Sequence, residues 1–422
     1  MELADVVVVG AGAAGLSCAR ALTDAGMSAV VLEARARIGG RVLSHRSSDG
    51  TVIELGAQLV HPTTDPAADA LITAPGLRSA PLPPADDVLV IADGRRWDSA
   101  ALVGAGLTPP WVVDHRLVSV SPGGCPGPGT TEGLSVAAAL SGTAALSGLS
   151  ADDAQLAGWW LEQSVGESPS RVDLDGLLRS RSARVGPERV LIDGIDSVLT
   201  SLAGGLDIRL DAPVRQLRWR AGRVTVLGRH PLAAAATVVT VPPAVVADQG
   251  IVFDPELPAE KTTALSALAS CDAVVVHCVT RAPASRSCWA LLAEPPWGLW
   301  RTVAGERYVV GHVKGDRAAL ARRASWTTEN TGWLARQLDP GLAEVVEVTV
   351  RDWGADPWSR GAYTVPRAGV DLASASWAEE LAETVHFAGE ATAPAATRGL
   401  LQGALASGGR AADEVLRALA HR

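Results

Sequence analysis

The chain has 422 residues, of which 47% are hydrophobic and 20% are charged, and its formal net charge is −9 at pH 7. This length predicts more than one domain, and the acidic balance argues against nucleic acid as a partner, because phosphates require a basic face. The five cysteines are odd in number and lack Cys-x-x-Cys spacing, and the chain opens directly into a predicted strand. We therefore expect a reduced, cytoplasmic protein without a signal peptide, a metal or membrane contact. The oligomeric state stays open, and a dimer is compatible with the sequence.

The first forty residues predict a βαβ unit. Val6–Val9 form a continuous apolar strand of the kind that is buried on both faces, and a glycine-rich turn follows it at once. Ala13–Ala25 are good helix formers, and Ser28–Leu32 form a second apolar strand that ends at Glu33. An acidic residue at the end of the second strand is typical of a dinucleotide site, because it bonds the ribose hydroxyls of an adenosine.

The glycine-rich turn has the pattern Gly10-x-Gly12-x-x-Gly15. Gly10 permits a tight turn, Gly12 lets the backbone approach a pyrophosphate, and Gly15 lets the helix and the strand pack closely. Ala14 lies in the first helical turn, whose free N–H groups and positive dipole end would face the phosphates. The sequence therefore predicts a dinucleotide site at the carboxyl end of the first strand.

The continuation of this unit, EARARIGGRV over 33–42, indicates which dinucleotide is bound. It resembles the E-x-R-x-R-x-G-G-R pattern of the FAD-binding flavin amine oxidases, which include the monoamine and polyamine oxidases. The resemblance implies that FAD is the cofactor, that Gly39 and Gly40 let the chain pass close to it, and that Arg41 pairs with its pyrophosphate. It also places Arg35 at the site, although a solvated loop charge is the alternative for this arginine.

Two later segments resemble the rest of the FAD domain in the same family. The resemblance implies that the backbone around Val214 meets the adenine, and that Gly389 and Glu390 lie at the phosphate and the ribityl chain. The helix that begins near Leu401 would point its N-terminal dipole at the N1–C2=O edge of the flavin, where the reduced form carries negative charge. Two small residues further along would keep this helix close to the cofactor: Ala404 and Gly408.

The resemblance implies an α/β fold, in which a Rossmann-like FAD-binding domain is joined to an α+β substrate domain with a mixed sheet. The FAD domain would be assembled from three discontinuous segments: 1–75, 187–261 and 376–422. The substrate domain would be assembled from the two stretches between them: 76–186 and 262–375. Most of the thirteen tryptophans fall in these two stretches, where a few could line a pocket for a bulky apolar substrate.

Outside the opening unit, the sequence predicts further elements and two breaks. The Pro- and Gly-rich stretches Pro75–Asp87 and Ser119–Gly133 predict a linker and a long loop. Helices are predicted over Ala151–Gln163, Ile195–Leu202 and Leu401–Leu419. Short strands are predicted over Asp207–Leu210, Val214–Trp219, Arg223–Val226 and His386–Ala388.

The turn Gly361-Ala362-Tyr363 departs from the family's pattern. Members with a covalent flavin carry a Gly-Cys-Tyr turn at this point, so the alanine predicts that FAD is bound without a covalent link. Tyr363 matches one of the two tyrosines that flank the substrate amine in monoamine oxidases, which makes it a candidate catalytic residue. The position of the other tyrosine reads Leu400.

A second departure concerns the family's active-site lysine. The strand that would carry it reads SCDAVVVHC, with Asp272 or Ala273 at the matching position. Neither lysine of this chain, Lys261 or Lys314, aligns with that position. Because this lysine is missing from the matching position, we expect a specialised substrate.

The stretch ELGAQLVHP over 54–62 reads as a buried strand that stops at a histidine. In the family this strand runs beneath the flavin, so the resemblance implies that Gly56, Ala57 and Gln58 pass close to the isoalloxazine ring. Polyamine oxidases place a Glu or a His three residues later, over the ring on the substrate side, and here that residue is His61. An imidazole there can accept a proton from the substrate nitrogen. A structural histidine at the start of a loop is the alternative.

Three functions stay in competition. The first is an FAD-dependent oxidase that converts an amine or amide into an imine, with O2 as the final acceptor. The departures favour a bulky natural product as its substrate, in a branch of antibiotic biosynthesis similar to the lankacidin amide oxidase-cyclase, where cyclisation follows imine formation. The second is a C–C desaturase, because carotenoid and porphyrinogen oxidoreductases share the glycine-rich start. The third is a flavin-binding scaffold without turnover.

Overall fold

The computed structural model describes residues 2–48, 50–70, 77–119, 133–142, 148–248, 250–295, 297–342 and 344–421. Within these ranges the chain forms two large sheets, and each contains parallel and antiparallel strand pairs. The predicted α/β fold with a mixed sheet in its second part is therefore confirmed. The predicted loop over 119–133 lies almost wholly outside the described residues.

The first sheet gathers strands from three separated stretches of the chain. They are β1 (Glu2–Val9), β2 (Ala29–Leu32), β9 (Asp207–Arg209), β10 (Val214–Arg220), β11 (Arg223–Gly228), β12 (Leu232–Val239), β13 (Val252–Asp254) and β19 (Val385–Phe387). Their order is β13-β10-β11-β12-β1-β2-β9, and β19 pairs with β12. β1 is parallel to β2 on one side and to β12 on the other, so its valines Val6–Val9 are buried from both faces. The exact limits of the two domains remain a prediction.

Helices cover both faces of the first sheet. They are α1 (Ala13–Asp24), α8 (Asp196–Ala203), α9 (Pro243–Ala247), α10 (Ala259–Ala267), α13 (Val370–Ala378) and α14 (Leu401–Ala420). Side chains of α1 and α14 share one core with β1, in which Leu16, Leu405 and Val415 are buried. Trp377 of α13 packs on Phe387 of β19 on the other face, with ring centroids 4.6 Å apart. Apolar area removed from water on both faces stabilises this layer.

Gly408 allows the closest approach between α14 and α1. A Cβ on Gly408 would overlap the carbonyl oxygen of Ala14 and would lie 3.0 Å from the backbone nitrogen of Cys18. The missing side chain of Gly408 faces α1, and this contact fixes the helix directly behind the glycine-rich turn. That Gly408 keeps the helix close to the cofactor stays a prediction.

The second sheet is assembled from two further stretches. Its strands are β6 (Asp87–Ala92), β7 (Arg95–Trp97), β14 (Ala273–Thr280), β15 (Cys288–Leu292), β16 (Gly298–Thr302), β17 (Tyr308–Lys314) and β18 (Val345–Asp352). Their order is β18-β14-β17-β16-β15-β6-β7, and the β15–β6 pair is parallel while the others are antiparallel. Every residue of the central strand β14 is buried.

Helices and two small hairpins complete the described residues. The helices are α2 (Pro66–Ala70), α3 (Ser99–Gly104), α4 (Pro110–Ser119), α5 (Val136–Gly142), α6 (Ala151–Val165), α7 (Leu174–Ser182), α11 (Ala318–Ala321) and α12 (Thr328–Leu338). The hairpins pair β3 (Ser44–Arg46) with β4 (Val52–Glu54) and β5 (Ser79–Pro81) with β8 (Arg189–Leu191). No helix in these ranges is long and apolar enough to cross a membrane.

The predicted buried strand over 54–60 does not form. β4 ends at Glu54, because the chain then bends and passes against the backbone of Arg41. A Cβ on Gly56 would overlap the carbonyl oxygen of Arg41, and the backbone N–H of Ala57 donates to that oxygen at 3.2 Å. The side-chain amide of Gln58 donates to the carbonyl of Glu54 at 2.8 Å, which closes the bend. Only Leu55 and Val60 of this stretch are buried, so the period-2 alternation in the sequence corresponds neither to a strand nor to alternating burial.

The predicted linker over 75–87 is also partly wrong. β5 forms inside it at Ser79–Pro81, and β6 begins at Asp87. Prolines are tolerated there because β5 lies in a two-stranded pair with β8, where a missing N–H costs little.

Candidate active site

One cavity of about 630 Å³ is lined by residues of both sheets and of the helices beside them. It brings together all the predicted site residues except one: Gly10, Gly12, Ala14, Glu33, Arg35, Gly39, Gly40, Arg41, Gly56, Ala57, Gln58, His61, Val214, Tyr363, Gly389, Glu390 and Leu401. The exception is Gly15, where a Cβ would overlap the carbonyl oxygen of Gly10, in keeping with a packing role between helix and strand. Ala404 of α14 also lines the cavity.

We divide this cavity into two parts. The glycine-rich part is lined by Gly10, Gly12, Glu33, Gly39, Gly40, Arg41, Gly389 and Glu390, and the charged part is lined by His61, Asp114, Trp160, Arg181, Arg184, Glu188, Lys314 and Tyr363. The first set was predicted from the sequence. Most of the second set was not.

Glu33 holds the glycine-rich turn against the end of β2. Its carboxylate is buried and accepts hydrogen bonds from the backbone N–H of Ala11 at 2.8 Å and of Arg35 at 2.9 Å. An ionised carboxylate has about four acceptor positions, so two bonds leave capacity for hydroxyl donors from the cavity. This arrangement fits the ribose-binding role predicted for Glu33.

The backbones of two glycine segments meet in the glycine-rich part. The N–H of Gly39 donates to the carbonyl of Ala11 at 2.8 Å, and a Cβ on Gly40 would lie 3.3 Å from the Cα of Gly12. Gly39 and Gly40 both have positive φ, +105° and +58°, which favours glycine. These residues form an open backbone cradle that fits the close approach of a pyrophosphate.

Arg41 and Glu390 form an ion pair in the wall of the glycine-rich part. The guanidinium of Arg41 donates to Glu390 Oε1 at 2.9 Å and to the carbonyl of Ala362 at 3.1 Å. Glu390 also accepts from the hydroxyl of Thr364 at 3.0 Å and from the N–H of Gly399 at 3.1 Å. The pair therefore links Arg41, the turn at Ala362 and the turn at Glu390 in the cavity wall. The remaining N–H donors of the Arg41 guanidinium are left for an anion.

Arg35 is not a solvated loop charge. Its guanidinium donates to Asp356 at 2.6 Å and to the hydroxyl of Ser359 at 2.8 Å, and the side chain is mostly buried. Arg351 forms a second ion pair with Asp356. The alternative considered for Arg35 is therefore wrong, and this arginine joins the cavity wall to the segment that follows β18.

His61 meets a carboxylate that the sequence did not suggest. Its Nδ1 lies 3.1 Å from Oε1 of Glu188, which precedes β8. Burial opposes ionisation of Glu188, but the hydrogen bond from His61 and the charges of Arg184 and Arg301 outweigh it, so its pKa is lowered. The backbone carbonyl of His61 also accepts a hydrogen bond from the side chain of Gln402 in α14 at 2.7 Å. His61 is thus held from two sides.

A lysine reaches the cavity from an unexpected strand. Ala273 begins β14, so the position matched to the family's lysine does lack one, as the sequence predicts. Lys314 lies opposite Ala273 on the neighbouring strand β17, however, and both residues line the cavity. Its Nζ is 5.5 Å from the centroid of the Tyr363 ring. Cross-strand register places this lysine there, and a search along one strand of the sequence could not find it.

Tyr363 is anchored beside this lysine. Its hydroxyl donates to the carbonyl of Val165 at 3.1 Å, at the end of α6. Burial raises the pKa of Tyr363 well above its usual range, and the neighbouring thiol of Cys271 acts in the same direction. The phenol of Tyr363 is therefore neutral and forms part of the cavity wall. Ala362 before it lines the cavity too, and no cysteine is found among the described residues of the lining.

One possible metal-binding group lies outside the cavity. Ligand atoms of Glu380, His386 and Glu414 lie within 4.8 Å of one another. Arg410 already donates to Glu414 at 2.5 Å, so positive charge is present beside this group. That the protein needs no metal stays a prediction.

The comparisons with known proteins agree on the family. The model for "Flavin containing amine oxidoreductase" matches residues 13–179 and 176–416. Lysine-specific histone demethylase 1B of Mus musculus is 27% identical over 419 residues, which cover 92% of this chain and 50% of that protein. Polyamine oxidase 4 of Oryza sativa subsp. japonica is 27% identical over 443 residues, which cover 97% of this chain and 88% of that protein. The chain thus spans about half the length of the mouse demethylase.

A solved structure shows the same fold. Cyclohexylamine oxidase from Brevibacterium oxydans IH-35A superimposes with a TM-score of 0.79 over 99% of both chains, at 21% sequence identity. At this identity the likeness concerns the fold alone. The family match covers most of the chain, and it confirms the predicted FAD-dependent oxidoreductase: the chain belongs to the flavin-containing amine oxidoreductase family.

Proposed function

We propose that this protein oxidises the C–N bond of an amine or amide to an imine. The observation that carries the proposal is the single cavity that joins the glycine-rich part, which fits FAD, to the charged part, where His61 and Glu188 meet. When bound, FAD supplies the two-electron acceptor for the hydride on the carbon next to nitrogen, and O2 then takes both electrons to give hydrogen peroxide.

His61 handles the proton in this proposal. Formation of the C=N bond removes a hydride from carbon and a proton from nitrogen. An imidazole whose Nδ1–H donates to a carboxylate presents Nε2 as a proton acceptor, and Glu188 stabilises the imidazolium that results. Tyr363 forms a rigid aromatic wall beside this site. The proposal therefore includes His61 and Tyr363 as candidate catalytic residues.

The walls of the cavity support a bulky substrate. Large apolar side chains line it: Trp160, Leu177, Trp289, Trp353 and Leu400. Leu400 stands at the position of the second tyrosine of the monoamine oxidases. Without that aromatic ring beside the substrate amine, the cavity can accept a wider range of substrates. We further propose that the substrate is a specialised natural product and that the imine cyclises onto an internal carbon. We also propose a reduced, cytoplasmic setting, which is supported by free, buried cysteines such as Cys271.

An anaerobic screen tests the proposed reaction. Amines and amides are mixed with the FAD-loaded protein without oxygen, and the visible flavin absorption is followed. We expect at least one of them to bleach it, and the product mass to correspond to an imine or its cyclised form. An alkene product would instead support a C–C desaturase. A flavin that none of the compounds reduces would support a flavin-binding scaffold without turnover.

A further inference from the structure

The charged part of the cavity holds more positive than negative charge. Among its described residues, the cations are Arg181, Arg184 and Lys314, and the carboxylates are Asp114 and Glu188. A diamine or polyamine carries positive charge on several nitrogens and would meet like charges here. The charge of this site therefore suits a substrate that carries an anionic group.

Both carboxylates already have partners. Asp114 accepts hydrogen bonds from the guanidinium of Arg181 and, at 3.0 Å, from Nε1 of Trp160. Glu188 lies 3.1 Å from Nδ1 of His61. The ion pair neutralises Arg181 and Asp114, whereas an imidazole that is neutral, as the proposed function requires, leaves the charge of Glu188 in place. Two cations therefore remain beside one carboxylate.

Arg184 and Lys314 are those remaining cations. In the part of the chain that the structure describes, neither the guanidinium of Arg184 nor Nζ of Lys314 forms a hydrogen bond or an ion pair with a side chain. Glu188 attracts both, but from beyond ion-pair distance. Lys314 has the ring of Tyr363 as its neighbour, at 5.5 Å from the centroid.

The two cations also oppose each other. Burial lowers the pKa of Lys314 and the charge of Arg184 acts in the same direction, while Cys271 and Glu188 oppose this shift in part. Burial likewise lowers the pKa of Arg184, although this side chain is exposed to the space of the cavity. Two cations that share one carboxylate beyond ion-pair distance leave positive charge uncompensated, and an anionic group of the substrate would relieve this cost.

We propose that Arg184 and Lys314 bind a carboxylate of the substrate, so that the amine oxidised by this protein is a carboxylate-bearing amine with a bulky apolar body. This inference rests on the proposed amine oxidation. The planar guanidinium matches the two carboxylate oxygens, and the ammonium adds a compact charge. The side chains of Trp160 and Trp289 in the same lining provide the apolar contacts.

A binding experiment with an unreactive pair of compounds tests the carboxylate site. The FAD-loaded protein is titrated with benzoate and with its uncharged isostere benzamide, and the flavin spectrum reports binding. We expect benzoate to bind at least about tenfold more tightly than benzamide, because a charge-assisted hydrogen bond contributes about 1.5–3 kcal/mol. Arg184→Gln and Lys314→Met should each remove most of this preference and leave benzamide binding unchanged.

Arg223→Gln is the matched control, because Arg223 is an exposed arginine on β11 outside the cavity. Equal binding of benzoate and benzamide, displacement of benzoate by inorganic phosphate at equal concentration, or tighter binding of putrescine than of benzoate would overturn the inference. If benzoate preference depends on Arg184 and Lys314 but no amine reduces the flavin, the carboxylate site stands and the proposed oxidation fails. If simple amines reduce the flavin and the preference is absent, the oxidation stands and this inference fails.

Discussion

The two parts of the cavity are built in different ways. In the glycine-rich part, backbone groups of the first forty residues make many of the contacts, such as the bond from the N–H of Gly39 to the carbonyl of Ala11 and the bond from the N–H of Ala11 to the carboxylate of Glu33. In the charged part, side chains from distant segments meet, as His61 does with Glu188. Backbone geometry leaves a recognisable glycine spacing in the sequence, whereas a side-chain constellation depends on how the sheets are assembled.

The largest expected effect comes from breaking the charged part alone. His61→Ala should lower the rate of flavin reduction by about 10²–10⁴-fold, because a general base contributes that much to catalysis. FAD content and thermal stability should stay unchanged, since the glycine-rich part is untouched. Stopped-flow reduction with a true substrate measures the rate. His45→Ala is the control, because His45 pairs with Glu347 on the surface at 3.7 Å. Equal rates from about pH 6 to 9 would show that His61 is only structural.

The support behind the glycine-rich part provides the second prediction. Gly408→Ala should destabilise the protein by about 3 kcal/mol and impair FAD binding, because the added Cβ overlaps the carbonyl of Ala14. Gly409→Ala is a matched control in the same helix, where a Cβ meets nothing within 4 Å. It should be neutral or stabilising by up to about 1 kcal/mol. Thermal unfolding compares the two variants, and equal melting temperatures would contradict the packing described for α1 and α14.

A milder change tests the glycine-rich part directly. Glu33→Gln keeps the shape of the side chain but removes its charge, so FAD should bind about 10- to 100-fold more weakly, from the loss of about 1.5–3 kcal/mol. Titration of the apoprotein with FAD measures the affinity. Glu256→Gln, at an exposed glutamate, is the control. Unchanged FAD affinity in Glu33→Gln would mean that the adenosine lies elsewhere.

The smallest effect concerns the segment that joins the two parts. Burial raises the pKa of Glu54 from 4.5 to about 7, despite hydrogen bonds from Ile195 and Ser44 that oppose the shift. The folded state therefore prefers the neutral acid, and the stability that Glu54 contributes is complete below about pH 4.5 and is lost as pH rises through 7. We expect wild type to lose about 2 kcal/mol of stability relative to Glu54→Gln between about pH 5 and 8. Denaturation curves at the two pH values measure this. An equal change in the stability of wild type and Glu54→Gln between them would contradict the prediction.

Much of the glycine-rich part could be predicted from the sequence, and much of the charged part could not. The pattern around Gly10 and Gly12 is short, and the strand and helix that flank it have clear apolar periods. By contrast, the pairing of Asp114 with Arg181 joins residues from α4 and α7 that no local pattern connects. The error at 54–60 has the same origin, because the bend at Gly56 is imposed by the distant backbone of Arg41.

The sequence by itself determined the βαβ unit, the acidic end of β2 and the family of the cofactor, because glycine spacing and apolar runs constrain the local backbone directly. Only the tertiary structure decided what stands opposite the flavin site. The antiparallel register of β14 and β17 places Lys314 beside Ala273, and the approach of β8 to the chain at Val60 brings Glu188 to His61. Register and crossing of separate segments follow from packing over the whole molecule, so the charged part of the cavity had no signal within a single stretch of chain.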